Sequence, residues 1–108
     1  MEIKTATAAL DSLAHTTRLS VFRLLVKAGP EGLPAGEIAE TLNARQNTMS
    51  SHLHKLARAG LVTSEREGRL IRYRADFDAL SRLILYLVED CCGGDARVCG
   101  PVAAALKC

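Results

Sequence analysis

Tryptophan is absent from this chain of 108 residues, which has only two phenylalanines and two tyrosines. Its core must therefore be built from Leu, Val, Ile and Ala, and at this length it is one domain with one small core. No run approaches the roughly eighteen uninterrupted apolar residues that a membrane-spanning helix needs. Met1 to Thr7 carries charge early and lacks the apolar stretch of a secretory signal. The expected location is the cytoplasm, without a membrane partner, where thiols stay reduced and a disulfide framework is disfavoured. Internal repeats, low-complexity tracts, a glycine-rich phosphate loop and a convincing acid–base pair are also missing, so the chain does not read as an enzyme.

Cysteine is missing from the first ninety residues. All four, Cys91, Cys92, Cys99 and Cys108, fall in the last eighteen. A cluster of this kind has a chemical role more often than a scattered set does.

The net charge of +2 hides an uneven distribution. Residues 45–74 carry seven Lys or Arg against Glu65 and Glu67, a local +5, whereas residues 1–44 come to −1 and 75–108 to −2. A concentrated positive segment in a nearly neutral protein suits phosphate backbones; the plainer reading is a solvated basic face.

The periodicities predict mainly α-helix. A short helix covers residues 5–14, with Ala6, Ala9, Leu10 and Leu13 at helical spacing. A second runs from Thr16 to Ala28, capped by Thr16 or Thr17 and turning Leu19, Phe22 and Val26 inward. Gly29-Pro30-Glu31-Gly32 stops it. A brief helix, Ala35 to Leu42, is joined through Asn43 and Ala44 to a helix over residues 45–59 that ends at Gly60. Two helices linked by so tight a turn are the helix-turn-helix signature, whose second helix enters the major groove.

After Gly60 the period becomes two. Residues 61–66 and 70–75 read as strands joined through Glu67-Gly68-Arg69, a hairpin wing carrying four arginines. Asp76 and Asp78 then open an apolar helix reaching about Asp90, their charge matching the helix dipole. Leu80, Leu83, Ile84, Leu87 and Val88 form its stripe, which Leu85 and Tyr86 broaden beyond one core face. The surplus points to a second copy of the chain.

On the helix over 45–59, Met49, Leu53, Leu56 and Ala57 share one side. Asn47, Ser51, His54 and Arg58 lie opposite, flanked by Gln46, Ser50 and Lys55. Asn47, Thr48, Ser50 and Ser51 are weak helix formers, so an exposed helix gains from them only if their side chains are used. Base edges and phosphates accept what these groups donate. The candidate DNA-contacting residues are Gln46, Asn47, Thr48, Ser50, Ser51, His52, His54, Lys55, Arg58, Arg66, Arg69 and Arg72. His52 sits at the border of the apolar side. His54 is on a different face, so the two cannot chelate one ion.

Cys91 and Cys92 follow the helix, Gly93-Gly94 frees the chain to turn back, and the six-residue loop before Cys99 closes cheaply, with Pro101 favouring a bend. Three converging thiolates suit a soft centre such as As(III) or Sb(III). Zinc prefers C-x₂₋₄-C pairs with nitrogen or sulfur ligands, and no His lies nearby. A redox pair between Cys92 and Cys99, or a thiol tail with no ligand, remain open.

Leu13-Ala14-His15-Thr16-Thr17-Arg18-Leu19, Ile38-Ala39-Glu40-Thr41-Leu42, Gln46 to Leu53, Leu56 to Val62, Glu67-Gly68-Arg69 and Tyr73 together resemble the ArsR/SmtB family of winged-helix repressors, over about residues 10–90. The resemblance implies a winged helix-turn-helix of about five helices and a two-stranded hairpin, dimerising through its first and last helices. It implies homodimeric binding to double-stranded operator DNA, with no cofactor required and with release by an inducer. The family's arsenic site at the start of the first helix of the helix-turn-helix is not matched, because Leu33 to Glu37 contains no Cys. Its zinc-type site on the last helix lacks His here, although Asp76, Asp78 and Glu89 are present. Cys91, Cys92 and Cys99 resemble the arsenite ligands of a subgroup with a vicinal pair plus a third Cys. The expected layout is a DNA-binding and dimerisation domain over residues 1–92 and an inducer-binding segment over residues 93–108. A redox switch at the thiols, or response to an organic trivalent arsenical, is the alternative.

Overall fold

The computed structural model describes residues 1–88 and 96–105. Helix α1 (Ile3–Leu13) is followed by α2 (Thr16–Ala28), a 3-10 turn (Gly29–Glu31) and a two-residue strand β1 (Leu33–Pro34). Helices α3 (Ala35–Thr41) and α4 (Gln46–Arg58) precede strands β2 (Val62–Glu67) and β3 (Leu70–Ala75), helix α5 (Phe77–Val88) and helix α6 (Ala96–Ala105). The fold is the expected mainly α winged helix-turn-helix. Two elements were not foreseen: β1, and α6.

The core is aliphatic, as the lack of tryptophan required. Val21, Phe22 and Leu25 of α2, Ile38 and Ala39 of α3, and Met49, Leu53 and Leu56 of α4 are buried together with Leu61, Val62, Ala75 and Leu83. Ala6 and Ala9 let α1 lie close against this cluster. Three α4 residues at i, i+4 and i+7 fix that helix by its inner face and leave the remainder of its circumference outward.

The turn between α3 and α4 is tight because Asn43 adopts φ 52°, a left-handed conformation that Asn tolerates better than most residues. Backbone bonds from Asn43 N–H to the Glu40 carbonyl (3.1 Å) and from Ala44 N–H to the Ala39 carbonyl (2.9 Å) close it.

The sheet is antiparallel with order β1-β3-β2. Strand β1 pairs Leu33 with Tyr73 and Pro34 with Arg72, so the segment just before α3 is stitched to the wing. Gly32 makes this approach possible. It has φ 62°, and a Cβ there would fall on the Tyr73 carbonyl oxygen, with Arg74 Cγ at 2.7 Å.

Three local expectations are corrected. The cap of α2 is His15, whose Nδ1 accepts the Thr17 N–H at 3.1 Å, rather than Thr16 or Thr17. Leu19 is 45% exposed, not inward, because the buried stripe of α2 runs through Val21, Phe22 and Leu25. The stretch expected as a loop before Cys99 with a bend at Pro101 is helical from Ala96 onward, with Pro101 inside α6. Asp76 does start α5: its Oδ1 accepts the Ala79 N–H at 3.0 Å.

Candidate nucleic-acid interface

Helix α4 presents Gln46, Asn47, Thr48, Ser50, Ser51, His54, Lys55 and Arg58 as exposed side chains. Ser50, Ser51, His54, Lys55 and Arg58 line an open depression of about 520 Å³. Amide and hydroxyl groups thus occupy the N-terminal two turns and cations the last, where they also complement the helix dipole. Arg45 provides no side-chain cap to α4, and Asn47 Oδ1 accepts the Thr48 N–H at 2.9 Å. The start of α3 lies close to the first turn of α4, for a Cβ on Gly36 would stand 3.2 Å from Gln46 Nε2.

His52 behaves differently from the others. It is half-buried, and its ring lies 4.8 Å from that of His15, centroid to centroid, at 45°. Burial, then the positive surroundings of His15, Arg18 and Lys55, hold its imidazole below the ordinary histidine value. The sequence placed it correctly at the edge of the apolar side, but did not show its partner.

In the wing the four arginines divide into two pairs. Arg66 and Arg69 are exposed beside the tight turn at Gly68, where φ is 63° and Arg66 Nε donates to the Gly68 carbonyl at 3.4 Å. Arg72 and Arg74 instead anchor the hairpin. Arg72 Nε donates to Glu67 Oε1 at 2.9 Å, and its Nη1 donates to the carbonyls of Glu31 (3.1 Å) and Gly32 (3.4 Å). The Glu67 carboxylate bonded to it raises the Arg72 pKa further. Arg74 Nε donates to the Pro30 carbonyl at 3.1 Å and its Nη1 to Glu65 Oε2 at 3.3 Å.

The bracing role of this pair was missed, yet a signal existed. Arg72 and Arg74 alternate with Ile71 and Tyr73 and so share one face of β3 with two glutamates of β2: Glu65, directly across from Arg72, and Glu67, two positions along. Opposite charges across a ladder attract one another before they attract a ligand.

Cys91, Cys92 and Cys108 lie outside the described residues. Cys99 belongs to α6, but the placement of its side chain is also outside what is described. Among the described residues there is no group of three or more His, Cys, Asp or Glu able to hold a metal ion, and no helix long and apolar enough to cross a membrane.

A polar reading helix held by its apolar side, entered through a tight turn and flanked by a basic hairpin, defines a winged helix-turn-helix module of the kind that binds duplex DNA. Comparison with known proteins agrees. Residues 13–65 match a helix-turn-helix domain model. The chain is 36% identical over 89 residues to the biofilm growth-associated repressor of Agrobacterium fabrum, a match spanning 82% of this chain and 74% of that protein. It superimposes with a TM-score of 0.67 and 26% identity on the homodimeric winged helix-turn-helix DNA-binding domain of Mb0332 from Mycobacterium bovis, a possible ArsR-family regulator, covering 80% of this chain and 78% of that one. A possible transcriptional regulator for arsenical resistance matches with a TM-score of 0.66 and 27% identity, over 92% of this chain and 97% of that one. The chain belongs to the ArsR family of winged helix-turn-helix transcriptional regulators. Its relatives are regulators of transcription, not enzymes.

Proposed function

We propose that this protein is a repressor that holds operator DNA as a homodimer and lets go when As(III) or Sb(III) is bound by Cys91, Cys92 and Cys99. The observation that carries the DNA half is the outward face of α4, where eight polar or basic side chains from Gln46 to Arg58 stand exposed over a buried apolar anchor. Arg66 and Arg69 at the wing tip supply phosphate contacts, while Arg72 holds the hairpin at the angle that delivers them.

Dimerisation is supported by uncovered apolar surface on the outer helices. Ile3 of α1 is 68% exposed, and Leu85 and Leu87 of α5 are 62% and 57% exposed, too much for two neighbouring helices of one small domain to leave in water. The Mb0332 domain, built alike, is a homodimer.

The inducer assignment rests on the donor set. Three thiolates match the charge and the pyramidal preference of a trivalent metalloid, and residues 93–108 provide the segment that closes on it. The likeness to a possible regulator for arsenical resistance points the same way. Coupling between such sites is typically about 1–3 kcal/mol, so DNA affinity falls about 5- to 150-fold on induction.

Titration of arsenite into reduced protein on labelled promoter DNA tests this. Wild type releases the DNA, and Cys91→Ser, Cys92→Ser and Cys99→Ser each retain it. If all three single variants still release DNA, the ligands are misassigned. Release by an oxidant alone, reversed by reductant, establishes a Cys92–Cys99 redox switch instead. Response of Cys99→Ser to a monomethylated arsenical but not to arsenite establishes a two-thiol site.

A further inference from the structure

The contact between His15 and His52 joins two elements with different tasks. His15 is the N-cap of α2, in extended conformation (φ −154°, ψ 130°), and its Nδ1 accepts the Thr17 N–H at 3.1 Å. His52 belongs to α4, on the turn between buried Met49 and buried Leu56. The rings meet at 4.8 Å, tilted by 45°. The groups bearing on His52 are His15 at the cap of α2, Arg18 of α2 and Lys55 of α4 itself, and all are basic. Arg18 is fixed in place because its Nε donates to the Ser12 carbonyl at 2.7 Å at the end of α1.

We propose that the His15–His52 pair is a proton-sensitive joint that sets the angle of the reading helix, so that acidification weakens discrimination between operator and random DNA. An accepting Nδ1 requires neutral His15 with its hydrogen on Nε2. A further proton can go only to Nδ1, which turns the acceptor toward Thr17 into a second donor and breaks the cap. Protonating His52 as well places two cations in ring contact, beside Arg18 and Lys55. The described geometry is therefore that of a neutral His15, and burial and basic neighbours disfavour a proton on His52 beside it.

The direction follows from linkage. Burial first, and the basic groups His15, Arg18 and Lys55 after it, hold the folded-state pKa of His52 below its ordinary value, so the stability of the joint is present above that ordinary value and is lost as pH falls through the lowered one. DNA phosphates act oppositely and favour added positive charge, but they do so for every sequence alike. The ratio of operator to random-DNA affinity removes that common part and exposes the joint.

The inference rests on α4 reading DNA and is independent of the thiol inducer. A duplex selected by this protein from a random pool at about pH 7.5 serves as operator, and affinities for it and for a scrambled duplex are measured down to about pH 5.5, the span over which histidine titrates. The ratio should fall by about three- to tenfold for wild type, a tenfold change corresponding to one pKa unit of coupling. His15→Asn keeps a cap acceptor that does not titrate, and its ratio should fall clearly less than that of wild type, because only the burial of His52 and its basic neighbours Arg18 and Lys55 remain. A flat wild-type profile, or a parallel fall in His15→Asn, overturns the proposal. The DNA-free protein gives a second reading: the Thr17 amide resonance should move between about pH 7.5 and pH 5.5 as its bond to His15 Nδ1 is lost, and an unmoved resonance also overturns the proposal. If no duplex is selected at all, the DNA reading fails, and the Thr17 amide still decides the joint.

Discussion

Replacing Gly32 by Ala should be among the most damaging single-methyl changes available to this protein, and Gly29 supplies an internal control. Both glycines occupy nearly the same backbone region, φ 62° and ψ −159° for Gly32 against φ 76° and ψ −160° for Gly29. That region is essentially reserved for glycine, and forcing another residue into it costs on the order of 1–3 kcal/mol. Their surroundings differ. Nothing lies within 4 Å of a Cβ built on Gly29, whereas a Cβ built on Gly32 meets the Tyr73 carbonyl oxygen and carbon and Arg74 Cγ. Backbone cannot yield there without moving β1 away from β3. That movement sacrifices the Leu33–Tyr73 and Pro34–Arg72 pairing and the Arg72 bonds to the Glu31 and Gly32 carbonyls.

Gly29→Ala should therefore lose about 1–3 kcal/mol for conformation alone. Gly32→Ala should lose roughly 2 kcal/mol more, taking about 1 kcal/mol for each of two lost hydrogen bonds as the floor. At roughly 4–8 °C per kcal/mol, the two variants should melt about 8–16 °C apart. Urea or thermal unfolding followed by circular dichroism measures the difference. Agreement of the two within about 0.5 kcal/mol, the usual scatter of a neutral substitution, refutes the claim that the wing is wedged against this turn.

Other outcomes follow from the same geometry. Arg66→Ala and Arg69→Ala should each reduce the slope of log affinity against log salt by about one, as loss of a single phosphate contact does. Arg72→Ala should weaken DNA binding with a smaller change in slope, since its guanidinium is engaged with Glu67 and two carbonyls; a full unit lost there would make Arg72 a phosphate contact instead. Leu85→Glu, placing charge on a 62%-exposed leucine of α5, should give a monomer by analytical ultracentrifugation with lowered DNA affinity; an intact dimer would move the interface elsewhere. Leu53→Ala, at a fully buried position, should cost about 2–5 kcal/mol of stability, and a smaller loss would mean that α4 is not held by its inner face.

The helix-turn-helix and the wing were legible in the sequence because their signals are local. The 3.6-residue period of α4, the short link at Asn43 and Ala44, and the switch to a two-residue period after Gly60 each lie within a few neighbouring residues. Strand β1 was not legible. It is two residues long and exists only because β3, some forty positions later, runs beside it. The division of the wing arginines is hidden for the same reason, as the carbonyls of Pro30, Glu31 and Gly32 that hold Arg72 and Arg74 are distant in sequence. His15 does not announce itself as a cap because Thr16 and Thr17 are commoner choices, and its ring partner His52 is thirty-seven positions away. Leu19 shows the limit of the period itself: a stripe through Leu19, Phe22 and Val26 is rotated away from the buried line of Val21, Phe22 and Leu25.

The decisive measurement is arsenic-edge X-ray absorption on reduced protein equilibrated with one arsenite per subunit in the presence of promoter DNA, with free and bound DNA counted in the same sample. Three sulfur neighbours around arsenic together with freed DNA are the predicted result. Fewer than three sulfurs, or three sulfurs with the DNA still bound, would contradict the account.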